Sequence, residues 1–273
     1  MSTVLYDVQG AVAVLSLNRP DKANAQNKQL LNELDACFDK AVEDEAVRVI
    51  VLRANGKHFS SGHDLSAGKD PANPLLGDVA NTGLLRMYRS ELKFYLGFCQ
   101  KWRDLPKPTI AAVQGACVGA GLMLAWPCDL IVAADDARFS DPVMRMGIAG
   151  VEYHGHTWEF GARKAKELLF TAGWIDAAEA HRLGMVNRVV PLPELDSAVM
   201  SLAQEIAKMP PHALLMAKQA VNQTLDIMGQ HTAMQAVFSL HSLGHANAYA
   251  STGWPVLAGL AEMTAANRDA ESG

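Results

Sequence analysis

The chain has 273 residues, of which 49% are hydrophobic and 19% charged, with a formal net charge of -5. That balance suits one large packed core and excludes a disordered chain. The acidic excess and the lack of a long Lys/Arg cluster argue against nucleic acid or an anionic membrane as the main partner, which leaves a small ligand as the expectation.

The opening MSTVLYDVQG has neither a basic nor an apolar leader region, and the longest nearly apolar stretch, residues 116–128, contains Pro127 and is too short to span a bilayer. A cytoplasmic location is therefore expected. Strands are predicted at TVLYDV, AVAVLSL, VRVIVLR, TIAAVQG, DLIVAA and VNRVV, each rich in Val or Ile and bounded by turn residues. Between them, Leu30, Leu31, Leu34, Phe38, Ala41 and Val42 form one helical stripe, and Leu85, Tyr88, Leu92, Tyr95, Cys99 and Trp102 form another. This alternation predicts an α/β fold.

Residues 67–83, AGKDPANPLLGDVANTG, have no usable period and read as a mobile loop, either a lid over a ligand or a plain surface insertion. In DAAEAHRLG, Asp176 is placed to cap a short helix, Glu179 to complete a capping box and Gly184 to end the helix. From Glu194 onward no strand is predicted, and Leu195, Leu202, Ile206, Leu215 and Met216 suggest successive amphipathic helices. The expected division is a core over residues 1–193 and a helical region over 194–273. Cys37, Cys99, Cys117 and Cys128 lack CxxC spacing and read as small buried hydrophobes, with no disulfide or zinc site expected.

Two small-residue turns each follow a predicted strand: GKHFSSGHDL, residues 56–65, and GACVGAGLMLA, residues 115–125. Ligands of open α/β sheets bind at the carboxyl ends of strands, so backbone N–H groups from both turns can converge on one oxygen as an oxyanion hole. Rival readings fail on spacing. A dinucleotide fingerprint starting at Gly119 would need a glycine at Leu124, no Walker lysine follows the glycines, and His58 stands where a GxSxG elbow around Ser60 needs glycine.

LNRPDKANAQN, FSSGHDL, PTIAAVQGACVGAGLMLAWPCDLIVAADDARFSDP and RKAKELLFTAGWIDAAEAHRLGMVNRVVP occur in this order. On these four motifs the chain resembles the crotonase (enoyl-CoA hydratase/isomerase) superfamily over nearly its whole length. The resemblance implies a spiral of ββα turns with C-terminal helices that pack in a homotrimer or a dimer of trimers. It also implies an acyl-CoA thioester ligand and no separate cofactor, since CoA enters as part of the substrate. Carried over by position, the backbone N–H groups of Ser61 and Ala120 would hold the thioester oxygen as it gains enolate charge. The Ser61 hydroxyl reads as incidental to that role.

By the same resemblance Lys22 would lie near CoA, and Ala23 and Ala25 would line the approach. Leu65, Gly119, Met123 and Val143 would line the ligand site. Asp64 would either join the ligand-binding residues or, the favoured alternative, brace its own turn, while His63 would either line the acyl pocket and act there or serve the turn structurally.

The family's hydratases carry two glutamates beside this hole, and this chain has Met123 and Val143 at those positions. A general acid or base contributes 10²- to 10⁴-fold, roughly 3–5 kcal/mol, so another group must replace them if hydration is retained. GVEYHGHTWEFG supplies Glu152, His154, His156 and Glu159 near the expected pocket, with Asp141 just before. Glu152, His154 and Asp141 are the acid/base candidates, against the structural alternative of a hydrogen-bonded wall or subunit contact. His154 and His156 have no third ligand at a matching spacing, so no metal is expected. Three readings follow: a hydratase-type lyase; an isomerase, decarboxylase or hydrolase of the same superfamily using His63; or a non-catalytic acyl-CoA binder.

Overall fold

The computed structural model describes residues 2–67, 79–259 and 261–265. Most of the expected lid, residues 68–78, lies outside this range. The end of that stretch is a helical turn rather than loop, α2, Val79–Thr82.

In chain order, β1 (Val4–Gln9) and β2 (Val12–Leu17) form an antiparallel pair, followed by α1 (Lys28–Glu43) and β3 (Val49–Ala54). After α2 come α3 (Leu85–Glu91) and α4 (Gly97–Arg103), joined through a π-helical turn at Leu92–Leu96. Next are β4 (Thr109–Val113), β5 (Ala116–Val118), α5 (Leu122–Ala125), β6 (Leu130–Ala134) and β7 (Arg138–Ser140). The chain then forms α6 (His156–Thr171), β8 (Ile175–Asp176), α7 (Ala177–Leu183), β9 (Arg188–Val190), α8 (Leu195–Ile206), α9 (Pro211–Ile227) and α10 (Gln230–Thr252).

β1, β2, β3, β4, β6 and β9 form a six-stranded sheet, parallel from β2 onward. These central strands read as near-continuous apolar runs because both faces are covered. One face, with Leu15, Leu17, Ile50, Leu52, Ala111 and Val113, packs with the Leu30, Leu31, Leu34 and Phe38 stripe of α1. The other face, with Val12, Val14, Val49, Val51, Ile110 and Val132, meets Leu195, Val199 and Leu202 of α8. Each such aliphatic side chain contributes about 1.5–3 kcal/mol on burial. The helical region after residue 194 thus begins by closing the second face of the sheet.

After leaving the large sheet, successive turns of the chain lay a short extended stretch in a second layer. Bridges pair Gln26 with His63 and Ser60 with Cys117, and β5 continues through β7 to β8. This stacking produces the crotonase-like ββα spiral with C-terminal helices. Sequence periodicity did not reveal β5, β7 and β8, which span only three, three and two residues. The cap at Asp176 is present, accepting the Glu179 N–H at 2.7 Å, and Gly184 ends α7 in the left-handed region. The Glu179 carboxylate itself pairs with Lys164 rather than closing a box. All four cysteines are free thiols.

Candidate active site

The two turns are clamped together through their backbones. Ser60 N–H donates to Ala116 O at 3.2 Å, Val118 N–H to Ser60 O at 2.9 Å, and Gln26 N–H to Gly62 O at 2.8 Å. The buried Gln26 side chain crosses from one turn to the other, its Nε2 donating to Ala120 O at 2.8 Å. Gly62 has φ +92°, and a Cβ there would stand 2.8 Å from Val118 O and 3.2 Å from Ala120 N. Only glycine lets the first turn come this close to the second.

This geometry corrects one expected donor. Ser61 N–H is committed to Ala23 O at 2.9 Å and is not open to a ligand oxygen. The N–H of His63, on the far side of Gly62, donates to no acceptor among the described residues. Ala120 is the second residue of a short 3-10 helix, Gly119–Gly121, a position whose N–H has no partner inside the helix. His63 in the first turn and Ala120 in the second are therefore among the donors that the two turns leave open.

His63 brings a side chain to the same place. Its Nε2 lies 3.2 Å from Glu152 Oε1, and its ring stacks on Tyr95 with centroids 3.9 Å apart. Its Nδ1 is buried without a hydrogen-bond partner among the described residues. Glu152 is 3% exposed. Burial pulls its carboxyl up, but His63 and His241 outweigh that and hold it at about 2, so it is ionised. The π-helical turn contributes Tyr95, and Glu91 sits one turn earlier on the same helical stretch.

The other acid/base candidates make no hydrogen bond to His63, although His154 Nδ1 is likewise buried without a partner among the described residues. Asp141 is fully buried, accepting from Val151 N–H at 2.9 Å and Val143 N–H at 3.3 Å, while His156 Nε2 lies 2.9 Å from its Oδ2. It fastens the 142–156 segment and has no accessible face. His154 packs on His156 with ring centroids 4.3 Å apart, and has no bond to His63 or Glu152. Burial and His156 lower its pKa to about 4, so it is a neutral ring. Burial raises the Glu159 carboxyl to about 8. Asp64 pairs with Arg19 at 2.9 Å and accepts from Ser66 N–H, which is the bracing one of its two expected roles.

Met123 and Val143, the positions where glutamates were expected from the resemblance, are apolar and packed. Met123 is buried, and Val143 Cγ1 would meet a Cβ on Gly119 at 3.9 Å. Val143 and Leu65 pack with Met146, Ile148 and Met263. Ala23 has left-handed φ, and its carbonyl takes up the Ser61 N–H, so residues 23–26 brace the first turn from outside. Ala25 O accepts from Arg19 Nη1 in the same brace, and Lys22 is exposed at the end of its own short helix.

Sequence reasoning did not find Tyr95, Glu91, His241 or His245. Behind Glu152, Glu91 is buried, and desolvation together with the Glu152 charge pushes its carboxyl well above the usual range. His241 and His245, one turn apart on α10, face it. Their i, i+4 spacing was a visible signal, but nothing in the sequence joined it to Glu91.

A spiral of this kind, with two clamped turns and C-terminal helices, defines a crotonase-like protein. The enoyl-CoA hydratase/isomerase family model matches residues 7–252, and the chain belongs to that family. It is 46% identical over 249 residues to a Mycobacterium tuberculosis protein whose name assigns it provisionally to the enoyl-CoA hydratases, covering 87% of this chain and 78% of that one. It is 34% identical to the short-chain-enoyl-CoA hydratase of Clostridium acetobutylicum over 233 residues, 83% of each chain. A crystal structure described as a probable enoyl-CoA hydratase from Mycobacterium smegmatis superposes with a TM-score of 0.88 at 55% identity, covering 94% of this chain and 100% of that chain. Among the described residues no helix is long and apolar enough to cross a membrane.

Proposed function

We propose that this enzyme binds an acyl-CoA thioester, holds its carbonyl oxygen on the backbone N–H groups of His63 and Ala120, and moves a proton with the His63–Glu152 pair. The observation that carries this reading is the unpartnered His63 Nδ1. Glu152 engages Nε2, which orients the ring and leaves Nδ1 free to take or give a proton beside the oxyanion donors. Each preorganised donor is worth about 3–4 kcal/mol as enolate charge develops. No separate cofactor is needed, because the thioester itself carries the activating carbonyl.

Hydration of a trans-2-enoyl-CoA is the reaction the named relatives suggest. The described site favours a second reading equally open to test. The site has one imidazole–carboxylate pair, and Met123, Val143 and Leu65, expected to line the ligand, are apolar, which suits moving one proton between two carbons of the acyl chain better than it suits holding water. Turnover of 2-enoyl- and 3-enoyl-CoA thioesters of several lengths, with product masses recorded, separates these. Hydration adds the mass of water, isomerisation conserves mass and decarboxylation loses CO₂. Binding without turnover across the panel would refute the catalytic role of His63.

The C-terminal helices supply the subunit contact in this proposal. Met216 at 53%, Ile227 at 87% and Leu243 at 62% exposure are large apolar side chains bare on the single chain, and covering them in a trimer or a dimer of trimers removes them from water. The reaction chemistry is compatible with the cytoplasmic location expected from the opening segment.

A further inference from the structure

We propose that Glu91, His241 and His245 form a binding site for a divalent transition-metal ion, zinc first, buried behind the His63–Glu152 pair. All three residues are buried, and their ligand atoms lie within 4.8 Å of one another. The site does not rest on the acyl-CoA reading, since its ligands and its test are independent of turnover.

The orientation of the two rings carries the inference. His241 Nδ1 lies 2.7 Å from Gly150 O and His245 Nδ1 lies 2.7 Å from Pro255 O. Carbonyl oxygens only accept, so both Nδ1 atoms bear hydrogen, and in neutral rings both Nε2 atoms present lone pairs. Those Nε2 atoms are 3.0 Å apart. Two lone pairs facing each other in a buried site repel unless positive charge lies between them. An Nδ1–H bond to a backbone carbonyl is also the usual arrangement behind a histidine that ligates metal through Nε2.

Glu91 decides between a shared proton and an ion. Its Oε1 lies 3.4 Å from His245 Nε2 and its Oε2 lies 3.8 Å from His241 Nε2. Both separations exceed the 2.7–3.2 Å of an N–H···O hydrogen bond. Ligands bonded at roughly 2.0–2.1 Å to a tetrahedral zinc ion stand about 3.3 Å apart. The Nε2–Nε2 separation of 3.0 Å and the His245–Glu91 separation of 3.4 Å lie near that edge, and the 3.8 Å from His241 to the other Glu91 oxygen requires the carboxylate to turn as it ligates. Two imidazoles and a carboxylate form a donor set suited to zinc. Glu152, with Oε1 at 3.7 Å from His241 Nε2, is a negative charge alongside, so a dication that displaced the Glu91 proton would be matched by two carboxylates. An ion here would tie α10 to the α3 helix and to the Gly150 loop.

The test is zinc binding by the full-length protein. Metal content is measured on protein purified without chelator, and the stripped protein is then titrated with zinc against a chromophoric chelator at neutral pH. The expected result is one zinc per chain, a melting temperature raised by zinc, and affinity at least about 100-fold weaker in His245→Gln and in Glu91→Gln. Circular dichroism checks that each variant is folded. If one is not, the wild-type titration and the other variant decide. Absence of zinc binding by the wild type at micromolar concentration would overturn the site and leave a shared proton between the two rings. Binding that survives unchanged in a folded variant would place the ion elsewhere and overturn it equally.

Discussion

His63 Nε2 and Glu152 Oε1 stand 3.2 Å apart, although one residue lies in the turn after β3 and the other in the loop before α6. Glu152 is almost wholly buried, so its charge is stabilised chiefly by the imidazoles around it. In the proposed reaction the pair takes the place of the two glutamates whose positions are held by Met123 and Val143. Glu152→Gln and His63→Gln are each expected to lower kcat by 10²- to 10⁴-fold with a smaller change in KM. The double variant should lose little more than either single one, because the two side chains act as a unit. Steady-state kinetics on the best thioester substrate checks this, and additive losses would mean that the residues work separately.

Gly62→Ala probes the approach of the two turns. At φ +92° the added Cβ is strained, and it would press on Val118 O at 2.8 Å, a backbone atom that cannot swing aside. The expected outcome is a stability loss of about 1–3 kcal/mol in urea unfolding. The fall in kcat should be larger than that seen for a surface alanine variant of equal stability. Normal turnover would show that the turns can separate without harm.

Glu33 is expected to make stability depend on acid. Slight burial raises its pKa, but hydrogen bonds from Gln29, Thr3 and Ser2 outweigh this and hold it at about 2. Its Oε2 accepts from Thr3 N–H at 2.7 Å and from Val4 N–H at 3.1 Å, which fastens the start of β1 to α1. A carboxylate with a depressed folded pKa contributes stability that is fully present above its unfolded value, near 4.3. That contribution is lost as pH falls from about 5 toward 2. Urea midpoints for the wild type should therefore drop more between pH 6 and pH 3 than those for Glu33→Gln, and parallel curves would remove Glu33 from the account.

Ile227→Asp and Leu243→Asp test the helical surface. Light scattering coupled to gel filtration should give a trimer or hexamer for the wild type and smaller species for the variants, since a charge buried in an apolar contact is costly. A wild-type monomer would remove the proposed assembly.

Much of the large sheet was legible in the sequence, because a parallel strand covered on both faces has to be a run of Val, Ile and Ala whatever surrounds it. The α1 stripe and the Asp176 cap were legible for a similar reason, being patterns completed within a few residues. The glycines of the two turns also announced a backbone site, and the absence of acid groups at Met123 and Val143 could be read without coordinates.

Tertiary structure alone decided which N–H groups and side chains form that site. Ser61 and His63 are two residues apart in one turn, yet the neighbouring 23–26 segment consumes the first N–H and leaves the second open. Glu152, His154 and Asp141 look equivalent as candidates along the chain. Packing buries Asp141 under backbone donors, neutralises His154 and delivers Glu152 to His63. The Glu91, His241 and His245 cluster had no sequence signature as a set, because a helix in mid-chain and the last long helix meet only when the spiral closes. Local patterns record contacts between neighbours in sequence, whereas a site assembled from distant turns depends on how those turns stack.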